Sequence, residues 1–231
     1  MKMRFGLQKL TLLDFPGMTA CTVFTSGCNF RCPFCHNPGL VFGGKDSLDF
    51  DLSGILDFLE KRRGILDGIC ITGGEPLLHE ETVQLAKSAR AAGYKVKIDT
   101  NGSDPEKLRQ IVEDDCVDYV AMDIKNSPEK YEATTSFSGI EKIRKSVQFL
   151  LQGRVDYEFR TTVTGNLHTA DDFEKIGSWI AGAKRYFLQK FQDSGELLSK
   201  DGSVFEVSGE QLAEYQGIVK KFVPSVLLRG I

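Results

Sequence analysis

The chain reads as an α/β protein built on parallel strands, and three features of its sequence point there. Short runs rich in Val, Ile, Phe and Tyr alternate with longer stretches whose apolar residues recur every three or four positions. Helix-start signals stand between those runs. A length of 231 residues with a 41% hydrophobic share is enough for one sizeable core, and no repeat, low-complexity tract or Pro/Ser-rich linker divides it.

In chain order, the first strand is expected over 20–25, and Ser53 is the candidate N-cap of a helix carrying Ile55, Leu56 and Leu59. Strands follow at 68–72 and 94–99. Asp104-Pro105 reads as an N-cap with Pro at the first helical position, with Leu108, Ile111 and Val112 on one face. A strand at 118–124 precedes a helix in which Ser138 and Glu141 have capping-box spacing and Ile140, Ile143, Val147 and Leu151 repeat at helical period. After a strand at 156–163, Thr169 caps a helix with Phe173, Ile176, Trp179 and Ile180. A strand at 185–191 is followed by a last helix, where Ser208 with Gln211 precedes Leu212, Tyr215, Val219 and Phe222. Six strand-then-helix units imply right-handed crossovers, as a full barrel, a partial barrel or an open doubly wound sheet; periodicity does not choose. All place ligands at the carboxyl ends of the strands.

Charge and cysteine usage narrow the function. Lys and Arg total 29 against 32 Asp and Glu, a net charge of −3, so the basic excess of a nucleic-acid binder is missing. No apolar run approaches the ~20 residues that span a bilayer. Met1–Gly6 carries charge without a following apolar stretch, so no secretory signal is expected and the expected compartment is the cytoplasm. There, six cysteines read as metal or catalytic ligands rather than disulfides.

Three of them, Cys28, Cys32 and Cys35, fall within eight residues after the first strand, in a loop with Gly27 and Pro33. Thiolates ligate iron–sulfur clusters, and a compact loop can hold three irons of one cube. Zinc on Cys28, Cys32, Cys35 and His36 is the rival, although consecutive ligands are geometrically awkward. The second strand ends in Gly73-Gly74-Glu75-Pro76, whose bare glycines let a ligand approach the backbone. The third ends in Asp99-Thr100-Asn101-Gly102 and the fourth in Asp123-Ile124-Lys125. Carboxylates at neighbouring strand tips repel unless a cation or donors lie between them. Arg160 is a charge inside the fifth strand, and Phe191-Gln192-Asp193 is expected to continue the polar rim. Polar groups from five loops on one edge are expected to form an active site.

These residues resemble a known family. Cys28-x3-Cys32-x2-Cys35, with Phe34 before the last cysteine, resembles the signature of radical S-adenosylmethionine (SAM) enzymes, and Gly73–Pro76 resembles their GGE-type motif. Within that superfamily four features are similar to the glycyl-radical-enzyme activases: Leu12–Gly17, Cys35-His36-Asn37-Pro38, Asp99–Gly102 and Asp123–Lys125. The likeness covers nearly the whole chain and is greatest to the activating proteins of anaerobic ribonucleoside-triphosphate reductase.

The resemblance implies a partial (β/α)6 barrel in a single domain over 1–231, with a lead-in at 1–19, a barrel core at 20–192 and a C-terminal extension at 193–231. It implies a 4Fe–4S cluster on Cys28, Cys32 and Cys35, its fourth iron chelated by the amine and carboxylate of SAM. Phe34 is assigned to the adenine, Gly73, Gly74 and Glu75 to the methionine amine, Asp99 and Asn101 to SAM, and Lys125 and Arg160 to its carboxylate and ribose side. Asp99, Thr100 and Asp123 are candidates for a monovalent cation. An electron from flavodoxin or ferredoxin would then cleave SAM to a 5′-deoxyadenosyl radical, which takes a hydrogen from a glycine of the partner reductase. No side chain acts as acid or base, so His36, His79 and His168 are expected to be structural or rim residues. Residues 36–52 hold no cysteine for a second cluster, and Gln192 stands where formate-lyase activases carry His. The alternatives are a pyruvate formate-lyase-type activase, a deazaguanine synthase-like enzyme acting on a small molecule, and a zinc- or cluster-bearing module without catalysis.

Overall fold

Eight strands hydrogen-bond in the order in which the chain makes them: β1 (Gly6–Thr11), β2 (Ala20–Thr25), β3 (Gly68–Gly73), β4 (Lys95–Thr100), β5 (Tyr119–Asp123), β6 (Asp156–Val163), β7 (Tyr186–Lys190) and β8 (Val226–Arg229). From β2 to β8 every pairing is parallel, and β1 runs antiparallel to β2. Among the described residues β1 and β8 have one strand neighbour each, so the sheet is a barrel left open along one side. The structure, a computed structural model, describes residues 3–43, 48–193 and 195–230. Positions 1–2 and 231, the outermost residues of the lead-in and C-terminal extension, lie outside the described residues, as do 44–47 and 194.

The six expected strands are present, each within one residue of its expected ends. Two strands lie outside that pattern. The lead-in supplies β1, and the C-terminal extension supplies β8, so the parallel run has seven members rather than six. Between them come α1 (Pro38–Val41), α2 (Leu52–Glu60), α3 (Glu80–Ala91), α4 (Pro105–Glu113), α5 (Tyr131–Thr135), α6 (Ile140–Leu151), α7 (Ala170–Trp179) and α8 (Gly209–Val219).

The caps follow local chemistry. Asp104, Thr169 and Ser208 accept from the backbone N–H three residues on, and Thr169 with Asp172 forms a reciprocal capping box. Two expected caps are displaced. Asp51 caps α2, accepting from Gly54 N at 2.9 Å, while Ser53 lies inside the first turn and donates to Asp51 at 2.8 Å. A carboxylate so placed competes better for the N–H groups than a hydroxyl two residues later. At α6 the N-cap is Gly139, not Ser138. The chain there folds onto the Phe137 ring, where a Cβ on residue 139 would lie 2.5 Å from Cζ.

Strand alternation divides the protein into two layers of opposite character. Val96, Ile98, Val120, Met122, Tyr157, Phe159 and Leu188 face outward into one apolar core with Ile55, Leu85, Leu108, Val147, Ile176 and Leu212 of the helices. The opposite face presents Lys97, Asp99, Asp123, Glu158 and Arg160 to the lumen. A smaller cluster of Phe15, Ala20, Tyr119 and Ala121, with Met18 against it, lies on that inner face.

His168 ties the loops after β5 and β6 together. Its Nδ1 accepts from Thr164 N at 3.2 Å and its Nε2 lies 3.1 Å from Lys125 O, the partners of a neutral imidazole protonated at Nε2. Burial pushes its pKa down from 6.5 to about 4. A depressed histidine takes up its proton more readily unfolded, so its contribution to stability is complete above pH 6.5 and is lost as pH falls toward 4, by ~3 kcal/mol. Urea midpoints measured from pH 7 to 4 should fall less steeply in His168→Gln than in the native chain.

Candidate active site

At the carboxyl edge of the parallel strands a cavity of about 520 Å³ opens. Cys28, Cys32, Cys35, Phe34, Gly73, Gly74, Glu75, Asp99, Thr100, Asn101, Asp123, Lys125 and Arg160 all line it. Residues from the loops after β2, β3, β4 and β5 and from β6 thus converge, as parallel topology requires.

The cysteine loop is shaped by backbone bonds to its surroundings. Gly27 N and Cys28 N donate to Leu40 O and Val41 O of α1 at 2.7 and 3.2 Å, Arg31 N to Thr135 O at 2.7 Å, and Cys35 N to Cys32 O at 3.1 Å. From the C-terminal side, Leu198 N and Ser199 N donate to Cys35 O and Pro33 O at 3.2 and 3.1 Å. Phe30 N lies 3.4 Å from Cys28 Sγ as a donor, an arrangement that favours the thiolate. Burial pushes the Cys32 thiol up to about 12, against the pull of Lys125. Metal binding at Cys32 therefore releases a proton.

Gly73 and Gly74 are required by close approach. Gly74 N donates to Thr25 O at 2.9 Å and Glu75 N to Gly27 O at 2.8 Å, seating this loop on the cysteine loop. A Cβ at Gly73, where φ is +120°, would meet Thr25 N and O at 2.3 Å, and one at Gly74 would meet Gly27 O at 2.1 Å. Glu75 is fully enclosed and accepts from Leu77 N at 3.0 Å, Thr100 Oγ1 at 2.7 Å and Asn101 N at 2.7 Å. Burial outweighs those donors and raises its carboxyl to about 7.

The acidic strand tips are neutralised by side chains. Arg160 donates through Nη1 to Asp99 at 3.0 Å and through Nε to Asp123 at 2.9 Å. Lys97 bonds the other oxygen of Asp99, and Lys125 the other oxygen of Asp123 at 3.0 Å. Burial alone would raise both carboxyls, but Arg160 with Lys97 or Lys125 holds them below the usual carboxylate range. A monovalent cation on Asp99, Thr100 and Asp123 would share every carboxylate oxygen with one of these donors, and the Thr100 hydroxyl is turned to Glu75. Lys125 Nζ also lies 6.0 Å from the centre of the Phe34 ring, joining the fifth strand's tip to the cysteine loop.

Asn101 also ties the loops together: its amide donates to Asn29 Oδ1 at 2.9 Å, lies 3.9 Å from Cys28 Sγ as a donor and accepts from Ser103 N at 2.9 Å, pinning the cysteine loop to the end of β4. The expected rim at Gln192 and Asp193 is corrected. Gln192 donates to Gly230 O at 3.3 Å and Asp193 accepts from Gly195 N, because the chain turns toward β8 after Lys190. Gln189 and Lys190 line the cavity in their place, together with Asp14 and Thr162. Lys97, only 2% exposed, was also legible, since it breaks the apolar run of a strand as Arg160 does.

The residues fit a 4Fe–4S cluster. Three thiols line one cavity, while Cys21 and Cys116 lie in the apolar core and Cys70 lies below Asp99, near Lys97. Among the described residues no three His, Cys, Asp or Glu side chains converge on a single metal ion, and the His36 ring stacks on Phe191 at 5.3 Å. Three thiols beside a cavity with room for a further ligand suit a cube held through three of its irons.

Removing Arg160 leaves two buried carboxylates facing each other. Arg160→Ala should cost about 3 kcal/mol in urea denaturation of the metal-free protein, and Arg160→Lys should recover only part, because one ammonium cannot reproduce the two-armed bridge. Unchanged midpoints would show that the strand tips are held by other contacts.

A family model described as the radical SAM superfamily matches residues 22–180. A protein of Methanocaldococcus jannaschii assigned as a glycyl-radical enzyme activating enzyme is 30% identical over 98% of this chain and 95% of its own length. The pyruvate formate-lyase-activating enzyme of Listeria monocytogenes is 32% identical over 58% of this chain and 57% of its own. SuiB of Streptococcus suis, solved with S-adenosylmethionine, superposes with a TM-score of 0.65 at 11% identity, covering 88% of this chain and 48% of that one, a likeness of fold alone. The chain therefore belongs to the radical SAM superfamily, whose cofactors are a 4Fe–4S cluster and SAM, and within it to the glycyl-radical-enzyme activating enzymes.

Proposed function

We propose that this is the cytoplasmic activase of an anaerobic ribonucleoside-triphosphate reductase, drawing its electron from flavodoxin or ferredoxin. The observation that carries the reading is the polar lumen: three thiols and a neutralised Asp–Arg–Asp bridge meet in one cavity at the strand ends. When bound, the cluster and SAM together supply one electron and the 5′-deoxyadenosyl radical that takes hydrogen from a glycine of the partner. The protein's own residues bind and orient. Cys28, Cys32 and Cys35 hold the iron. The Gly73-Gly74-Glu75 turn receives the methionine amine, and the enclosed Glu75 carboxylate supplies an acceptor there. Lys125 and Arg160 turn cationic donors toward the carboxylate and ribose side, Phe34 receives the adenine, and Asp99 and Asn101 complete the wall. Any monovalent cation would sit at Asp99, Thr100 and Asp123 and share the carboxylate oxygens with Arg160, Lys97 and Lys125.

The choice of reductase is supported by the absence of cysteine from residues 36–52 and by Gln192 standing where formate-lyase activases carry His. The Listeria relative favours pyruvate formate-lyase as a second reading. Anaerobic reconstitution with iron, sulfide, SAM and dithionite, followed by incubation with each candidate, separates the two. A glycyl-radical EPR doublet should form on the reductase and not on formate-lyase. In the same assay Cys32→Ala should yield neither cluster nor deoxyadenosine, and a Cys32→Ala variant that still cleaved SAM would falsify the assignment. Lys125→Ala should raise the Kd for SAM at least tenfold with iron content unchanged, and loss of iron instead would make Lys125 a structural residue of the cysteine loop.

A further inference from the structure

The three ligand thiols are not equivalent. Cys28 Sγ is approached by Phe30 N at 3.4 Å and by the side-chain Nδ2 of Asn101 at 3.9 Å, and among the described residues no hydrogen-bond donor reaches Cys32 Sγ or Cys35 Sγ. Phe30 belongs to the cysteine loop itself. Asn101 comes from the end of β4, 73 residues further along the chain.

Neighbouring groups fix the orientation of that amide. Ser103 N is a backbone donor 2.9 Å from Asn101 Oδ1, which turns the NH2 group to the other side. One of its hydrogens goes to Asn29 Oδ1 at 2.9 Å, and the second is left for Cys28 Sγ. Asn29 Nδ2 in turn donates to Ser103 Oγ at 2.9 Å, closing a ring through three residues. The backbone beneath is held as firmly. Asn101 N donates to Glu75 at 2.7 Å, Gly102 N to Thr100 Oγ1 at 3.0 Å and Ser146 Oγ to Gly102 O at 2.7 Å. Gly102 has a φ of +74°, and a Cβ there would lie 2.1 Å from Met122 Cε, so the turn is packed down onto β5.

A thiol is a weak acceptor, but a thiolate that ligates iron carries negative charge and accepts more strongly. Hydrogen bonds to such sulfurs are among the features that set the potential of an iron–sulfur cluster. Reduction adds a further negative charge, part of it on the ligand sulfurs, so a donor at Cys28 stabilises the reduced cluster more than the oxidised one. We propose that Asn101 is a potential-tuning residue: its side-chain N–H, aimed at Cys28 Sγ by the positioning residues Ser103 and Asn29, makes the cluster easier to reduce. This role is separate from any contact of Asn101 with SAM, because it is exerted on the ligand sulfur. The inference rests on the cluster that the family carries and not on which partner the chain activates.

The test is an anaerobic redox titration of the reconstituted cluster, read by EPR without SAM, in wild type, Asn101→Leu, Asn101→Asp and Ser103→Ala. At the wild-type midpoint, the ratio of reduced to oxidised cluster should fall about tenfold in Asn101→Leu, a shift of ~59 mV to more negative potential for one electron. Asn101→Asp keeps the size of the side chain but brings a carboxylate in place of the N–H, so the shift should have the same sign and be larger. Where Leu disrupts the loop, this second variant carries the prediction. Ser103→Ala removes the acceptor of Asn29 but keeps the backbone N–H that holds Asn101 Oδ1, so the potential should stay at the wild-type value even if the urea midpoint drops. A loop merely loosened would admit water to the cluster and move the potential the other way. An unchanged or raised potential in both Asn101 variants would overturn the inference. So would an equal shift in Ser103→Ala, or loss of iron from the Asn101 variants at unchanged urea midpoints, since Asn101 would then build the site rather than tune it. A wild-type chain that takes up no cluster would instead overturn the cluster assignment, and the inference with it.

Discussion

Arg160 lies between two carboxylates that belong to different strands, and both need it. Asp99 and Asp123 sit at the tips of adjacent parallel strands because the register of β4 against β5 puts them there, and two buried anions at that spacing repel unless a cation separates them. The planar guanidinium reaches both at once, and Lys97 and Lys125 occupy the remaining oxygens. The result is a run of alternating charges across three strands, set inside the barrel and largely shielded from water. Its members hold one another in their charged forms, and cationic donors are thereby fixed before any ligand arrives.

That charged lumen explains the unusual layering. In a sheet with one wet face, charged residues point to solvent and apolar residues to the core. Here the apolar face packs the helices, and the charged face is turned inward onto a chamber. Lys97 and Glu158 are among the most enclosed residues for that reason. Glu158 is stabilised by a two-armed contact from Arg229 of β8 and by the Tyr119 hydroxyl, so the last strand of the chain is tied into the lumen as well as into the sheet.

Backbone contacts, more than side chains, shape the neighbourhood of the cysteines. The Gly73-Gly74 turn lies directly on Thr25 and Gly27, and the segment at Leu198 and Ser199 closes on Pro33 and Cys35 from the other side. A three-cysteine loop is floppy by itself. Enclosed between α1, the glycine turn and the C-terminal segment, it becomes a fixed cradle, and such preorganisation lets a site present its ligands without first ordering them.

Much of this was legible along the chain, for a physical reason. Strand and helix periods, the Asp104, Thr169 and Ser208 caps, the cysteine spacing and the polar strand ends are short-range properties, and parallel topology alone carries strand-end residues to one edge. Tertiary structure decided the rest. β1 (GLQKLT) lacks a clean apolar alternation and β8 has only four residues, so only their partners make them strands. Which partners the Asn101 amide meets, Asn29, Ser103 and Cys28 Sγ, is set by loops far apart in sequence; Gln192 turns away while Gln189 and Lys190 turn in. Whether Lys97 would be solvated or enclosed depended on which way the sheet curls, and that is set by the helices packed on its far side, a sum of contacts no local stretch of sequence contains.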